Sequence, residues 1–156
     1  MKKLFTLLIA MLLVTTVVLG SGVLADASGN TGDTYFQYTL PQMGTINIYN
    51  PGRAKLNATG TYVYLQSGPA SGVRFSVWGG YASSWQNTTL LNFTGGGGAD
   101  IWVTQQRRIS QYVYENGRTY AFLGITPRVQ GDVGSALSGL WSPDSQGSWP
   151  YANPGQ

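Results

Sequence analysis

The sequence predicts an all-β fold, an antiparallel sandwich of roughly seven to nine short strands followed by an irregular C-terminal arm. Three observations predict it. Apolar and polar residues alternate with a period of two, as in Thr61–Gln66 (TYVYLQ) and Val73–Trp78 (VRFSVW), which places successive side chains on opposite faces. Gly, Pro and Asn separate these runs at short intervals. Beyond residue 27 no segment sustains a helical apolar period over several turns.

Residues 1–27 read as a cleaved secretory signal peptide. Lys2 and Lys3 form a positive start, Leu4–Leu19 is almost wholly apolar, and Ala25-Asp26-Ala27 gives the small-x-small pattern cut after Ala27 or else after Ala25. The apolar run falls short of the roughly 20 residues a membrane span needs, and no stop-transfer segment follows. The expected mature chain is therefore extracellular, without a transmembrane segment, and the Met-Lys-Lys start looks bacterial. Residues 28–33 (SGNTGD) read as a flexible mature N-terminus.

The sandwich is expected over residues 34–129. Strands are predicted at Thr34–Leu40, Thr45–Tyr49, Thr61–Gln66, Val73–Trp78, Thr89–Thr94, Ile101–Thr104, Arg108–Glu115 and Arg118–Ile125. Asn50-Pro51-Gly52, Ser67-Gly68-Pro69 and Gly95–Gly98 are predicted turns. Asn116-Gly117 predicts a two-residue type I′ hairpin with Glu115 facing Arg118. Residues 130–156 are predicted to be an arm of small residues and prolines. Trp141 should dock on the sandwich, and residues after Trp149 should stay mobile.

Composition excludes much chemistry. The chain has no histidine and no cysteine. Imidazole-based triads, thiol catalysis, thiolate metal sites and disulfides are therefore all absent. Net charge is +3 for the whole chain and two units positive without the leader, with no basic stripe of the kind that binds nucleic acid. No cofactor or metal site is implied. A calcium site at Asp100 or Asp132 lacks the usual acidic spacing, and the Asp100–Glu115 pair is the one carboxylate combination worth testing for glycoside hydrolysis. Asn-x-Thr sequons at Asn57, Asn87 and Asn92 fit chance in a chain rich in Asn and Thr.

The positive signal is aromatic. If the aliphatic sides of the alternating strands line one core, the opposite side carries Tyr62, Tyr64, Arg74, Trp78, Trp102, Tyr112 and Tyr114. Flat amphipathic rings and a guanidinium suit stacking on sugars and contact with anionic groups, although cross-strand packing accounts for such residues as well. Tyr81 and Trp85 lie in a polar loop and are expected at the surface.

In signal peptide, size class, Gly/Trp/Tyr richness and lack of cysteine, the chain resembles small secreted β-proteins of Gram-positive bacteria such as the lactococcin-type bacteriocins. Those chains are shorter and contain histidine, and no functional residue carries over. The expected function is a secreted, non-catalytic protein that binds a wall glycan, polysaccharide or envelope component through one aromatic and Arg sheet face. The alternatives are an envelope-targeting, bacteriocin-like antimicrobial factor, as the resemblance implies, and a structural or matrix protein.

Overall fold

The computed structural model describes residues 29–153, and the predicted signal peptide with its cleavage residues Ala25 and Ala27 lies outside them. Ten strands run in chain order: β1 (Thr34–Thr39), β2 (Asn47–Ile48), β3 (Arg53–Ala54), β4 (Thr61–Ser67), β5 (Val73–Gly80), β6 (Leu91–Asn92), β7 (Ala99–Ile101), β8 (Gln106–Ile109), β9 (Tyr120–Pro127) and β10 (Ala136–Ser142). They form two antiparallel sheets packed face to face. The first has the order β1-β10-β4-β8; the second has β2-β9-β5-β6, with β3 on β9 and β7 on β5.

Alternation builds the core. From the first sheet Phe36, Val63, Leu65, Ile109, Leu137 and Trp141 point inward, and from the second Val73, Phe75, Val77, Ala121, Leu123 and Ile125, all essentially inaccessible. Phe36 meets Phe75 edge to face across the gap, with ring centroids 6.0 Å apart. The predicted all-β sandwich is the fold observed.

Several local expectations are corrected. The sandwich does not end at residue 129, because β10 is an inner strand of the first sheet, between β1 and β4. Its period of two is masked by small residues: Leu137, Gly139 and Trp141 face inward, while Ser138 and Leu140 face outward. Gly139 is required there, since a Cβ would overlap the Tyr64 carbonyl oxygen and the Phe36 ring.

The Asn116-Gly117 hairpin does not form. A type I′ turn needs positive φ at both central residues, and here only Gly117 has it (φ 67°). Residues 112–117 instead make one helical turn closed by the Gly117 N–H on the Tyr114 carbonyl (2.9 Å) and the Arg118 N–H on the Val113 carbonyl (3.0 Å), the Schellman pattern of a helix end. Burial of Val113 and Gln111 holds this turn against the core in place of the predicted strand.

The strand predicted at Ile101–Thr104 stops at Ile101. Trp102 to Gln105 is a turn whose third residue, Thr104, has φ 70°, a costly conformation for a β-branched side chain.

Both chain ends of the sandwich are pinned. Asn30, within the segment expected to be flexible, donates its N–H to Asp144 Oδ2 (2.6 Å) and its amide to the Ala54 carbonyl (3.0 Å). Residues 150–153, expected to be mobile, run beside β8, and buried Asn153 accepts from the Ser110 N–H (2.8 Å) and donates to the carbonyls of Gly95 (2.5 Å) and Ser110 (3.2 Å). Trp141 is fully buried, as expected, with the Arg53 guanidinium 5.7 Å from its ring centre. The sequons at Asn57 and Asn92 have a local role, because each Asn Oδ1 accepts from the N–H and hydroxyl of the Thr two residues on.

Asp144, within the segment predicted as an irregular arm, is buried with Lys55 as an ion pair inaccessible on both sides. Asp144 Oδ2 also accepts from the backbone N–H groups of Asn30 and Leu56 (3.0 Å), and Lys55 Nζ donates to the Thr59 carbonyl (2.6 Å). Burial pushes the Lys55 amine below its ordinary range, and the Asp144 carboxylate pulls it back up.

Removing one partner of such a pair leaves an uncompensated charge. Asp144→Ala should lower stability by about 3–5 kcal/mol in urea denaturation, and by more than Lys55→Met. The methionine variant leaves the carboxylate its two backbone donors, whereas the alanine variant strands the amine. Equal losses would show that the amine does not depend on the carboxylate.

Candidate functional site

The cleft with the best set of ligand-type groups lies on the outward face of the first sheet. Register builds its floor. Tyr62 on β4 pairs with Ser142 on β10 and with Arg108 on β8, and one residue-pair beyond Thr34↔Trp141 brings Asp33 level with Ser142. Asp33, Ser142, Tyr62 and Arg108 therefore form one row across the sheet. The next row is Tyr35, Leu140, Tyr64 and Gln106. The cleft encloses about 310 Å³ between Thr31, Asp33, Tyr62, Gln106, Ser142, Gln146 and Trp149. A second depression of about 510 Å³ adjoins it, lined by Gln146, Gly147, Ser148 and Trp149. Trp149 thus walls both.

Each ring is held. The Tyr62 side chain is buried except at its rim, and its hydroxyl donates to Gln106 Oε1 (2.7 Å). Burial raises the Tyr62 pKa and the nearby Asp33 charge adds to the rise, so the phenol stays neutral at physiological pH. Trp149 stands over Tyr62 with ring centroids 5.9 Å apart and planes inclined at 42°, and it remains 40% exposed. Its backbone carbonyl accepts from Arg108 Nε (2.7 Å), and the Arg108 guanidinium lies 4.4 Å from the Tyr151 ring centre. Arg108 is a buttress for the wall, not a contact on the floor.

The other sequence-predicted residues are distributed elsewhere, and the single aromatic and Arg face is corrected to two outer faces and their loops. Tyr64 shares the face of Tyr62. Arg74 and Trp78 lie on the outward face of the second sheet, opposite Thr126 and Phe122 on β9. The Arg74 guanidinium is used internally, donating to both Asp100 oxygens (2.8 and 3.0 Å). Arg128 approaches the same carboxylate at 3.0 Å and lies 4.6 Å from the ring centre of Trp102. Trp78 donates its indole N–H to Ser76 Oγ (2.9 Å) and packs where a Cβ on Gly124 would collide with it. Tyr112 and Tyr114 sit on the helical turn, where Tyr114 is exposed. Tyr81 lies at the surface, as expected, 61% exposed, with the Arg118 guanidinium 4.1 Å from its ring centre. Trp85 lines a separate depression with Ile46, Asn47 and Ile48.

Sequence reading missed Thr31, Asp33, Gln106, Ser142, Gln146 and Trp149 as cleft residues. The available signal was the pair of tryptophans in the C-terminal segment, of which one packs inside and the other forms a wall. Among the described residues no group of three or more acidic side chains could hold a metal ion, and no helix is long and apolar enough to cross a membrane.

Residues 22–145 match the model of the DUF2712 family, described as a protein of unknown function, and the chain belongs to that family. No curated protein and no solved structure matches it. Thr31, Asp33, Tyr62, Gln106 and Ser142 fall inside the matched segment; Gln146 and Trp149 follow it.

In the carboxylate combination considered from sequence, Asp100 is unsuited to be the proton donor. Its hydrogen bonds from Arg74 hold the carboxyl below the ordinary value of 3.8, whereas a proton donor needs a raised one. A depressed carboxyl adds stability above the unfolded value, and that contribution disappears as pH falls through the folded value. Asp100→Asn should therefore flatten the acid limb of the stability curve below about pH 4, measured by thermal melts on both proteins. Parallel curves would show that the Arg74 pairing adds nothing to folding.

Proposed function

We propose that this chain is a non-catalytic glycan-binding protein that works outside the cell, with the cleft between Trp149 and Tyr62 as its binding site. The observation that carries the reading is the combination in that cleft of one well-exposed indole, one pinned phenol and a row of short polar groups. Sugar rings present an apolar C–H face to an aromatic plane and hydroxyls at the edge, so they need both kinds of partner within one shallow site. Carboxylate and amide groups from Asp33, Gln106 and Gln146, with the hydroxyl of Thr31, supply the edge contacts. The neighbouring row, with exposed Tyr35 and half-buried Tyr64, extends the surface for a chain longer than one sugar unit. The apolar leader at Leu4–Leu19 supports export, and wall glycan or extracellular polysaccharide is the ligand class within reach of an exported protein.

The test is retention on purified peptidoglycan and on a panel of insoluble polysaccharides. Trp149→Ala should weaken binding at least about tenfold, the equivalent of losing one stacking contact. Trp85→Ala, in the separate depression, should leave it unchanged. No retention of the wild type on any glycan, or equal retention of the Trp149→Ala protein, would overturn the reading.

A further inference from the structure

Resting on the reading of the cleft as a glycan site, we propose that its preferred ligand is a glycan whose sugars carry a free, protonated amino group, with Asp33 as the counter-charge. Asp33 is the only ionisable carboxylate or cation among the residues that line the cleft. Its carboxylate makes no hydrogen bond or ion pair with any described residue. This separates it from the other aspartates, because Asp100 is clasped by Arg74 and Arg128, Asp144 is paired with Lys55, and Asp132 accepts from Ser71. A carboxylate left open beside two aromatic rings has the composition of a site for an organic cation, since the ring faces and the carboxylate attract the same charge.

Burial lowers the Arg53 pKa and the Asp33 charge pulls it back up, yet the two groups form no ion pair. Arg53 directs one guanidinium nitrogen to Asn30 Oδ1 (2.8 Å) and another to the Trp141 carbonyl (3.0 Å). Arg108 is engaged by the Trp149 carbonyl and the Tyr151 ring. Both have protein partners, and neither lines the cleft. The remaining polar lining, Thr31, Gln106, Ser142 and Gln146, is neutral and suits the hydroxyls of the same sugar. An N-acetyl group has no charge to satisfy Asp33, and it would leave the carboxylate without a partner after the cleft is desolvated.

Without the leader the chain is two units positive, so its overall charge repels a cationic oligosaccharide. A preference for one would therefore report a local group.

The experiment is isothermal titration of the exported form of the chain with the hexamer of β-1,4-linked glucosamine and with its fully N-acetylated counterpart, at pH 6, where the amines are largely protonated, and at fixed ionic strength. The amino oligomer should bind at least tenfold more tightly. Asp33→Asn should bring the two affinities together by weakening the amino oligomer alone, and Trp149→Ala should weaken both. Tighter binding of the acetylated oligomer, or a preference that survives Asp33→Asn, overturns this inference and leaves the glycan reading standing. Binding of neither oligomer overturns the inference. The glycan reading itself falls only if the polysaccharide panel is negative as well.

Discussion

The structure depends above all on the carboxylate of Asp144. One of its oxygens takes the Lys55 ammonium, and the other takes two backbone N–H groups, from Asn30 and Leu56. Three distant stretches of chain therefore meet at one buried group. Desolvating an ion pair in this way is expensive and is repaid only when the remaining lone pairs are also satisfied, as they are here. In a chain with no cysteine, this polar node joins the start of the sandwich to its last strand, much as a covalent crosslink would. The hydroxyl of Thr59 then accepts the Ser145 N–H (3.1 Å), and Thr61 donates to the Pro143 carbonyl (3.1 Å), so the segment on either side of Asp144 is tied down as well.

The cleft follows from that node. Thr31 and Asp33 lie one and three residues beyond Asn30, and Ser142, Gln146 and Trp149 lie within five residues of Asp144. Only Tyr62 and Gln106 come from elsewhere, and the β10–β4 and β4–β8 registers deliver them to the same face. The floor is held by the part-buried Tyr62–Gln106 bond and the wall by the Arg108–Trp149 bond, so both are positioned without a ligand. Binding then avoids part of the entropic cost of assembling a site from loops.

How much of this was legible in the sequence depended on which physical signal each residue carried. Where a strand buries one face against large aliphatics, as in β4, β5 and β9, alternation revealed both the strand and its inward side. Tyr62 and Tyr64 were correctly placed together on an outward face for that reason. Alternation says nothing about which sheet a strand joins, so Arg74 and Trp78 were grouped with Tyr62 although the sandwich separates them. In β10 the inward positions include Gly139, demanded by a close backbone crossing that leaves no periodic trace. At Asn116-Gly117 the glycine's positive φ was foreseen, but local sequence cannot tell a hairpin from a helix end. Burial of Val113 and Gln111 decides between them. Asp144 carries no local sign of its burial, because its partner is 89 positions away.

The arginines show why a sequence-level tally of aromatics and cations overstates the binding surface. Arg74 and Arg128 share Asp100, Arg118 lies 4.1 Å from the Tyr81 ring centre and 5.8 Å from that of Phe93, Arg53 packs on Trp141, and Arg108 holds Trp149. A guanidinium is planar and weakly hydrated, so it stacks on rings while its edge donates to carbonyls or carboxylates. In a small β-protein with few charged residues, that makes arginine a packing residue for the outer faces of the sheets. Once those pairs are set aside, Trp149 and Tyr62 remain as the aromatic pair that shares a polar cleft with a carboxylate that no arginine among the described residues hydrogen-bonds. The site is defined by the group that the surface leaves unpaired, more than by the number of aromatic residues it displays.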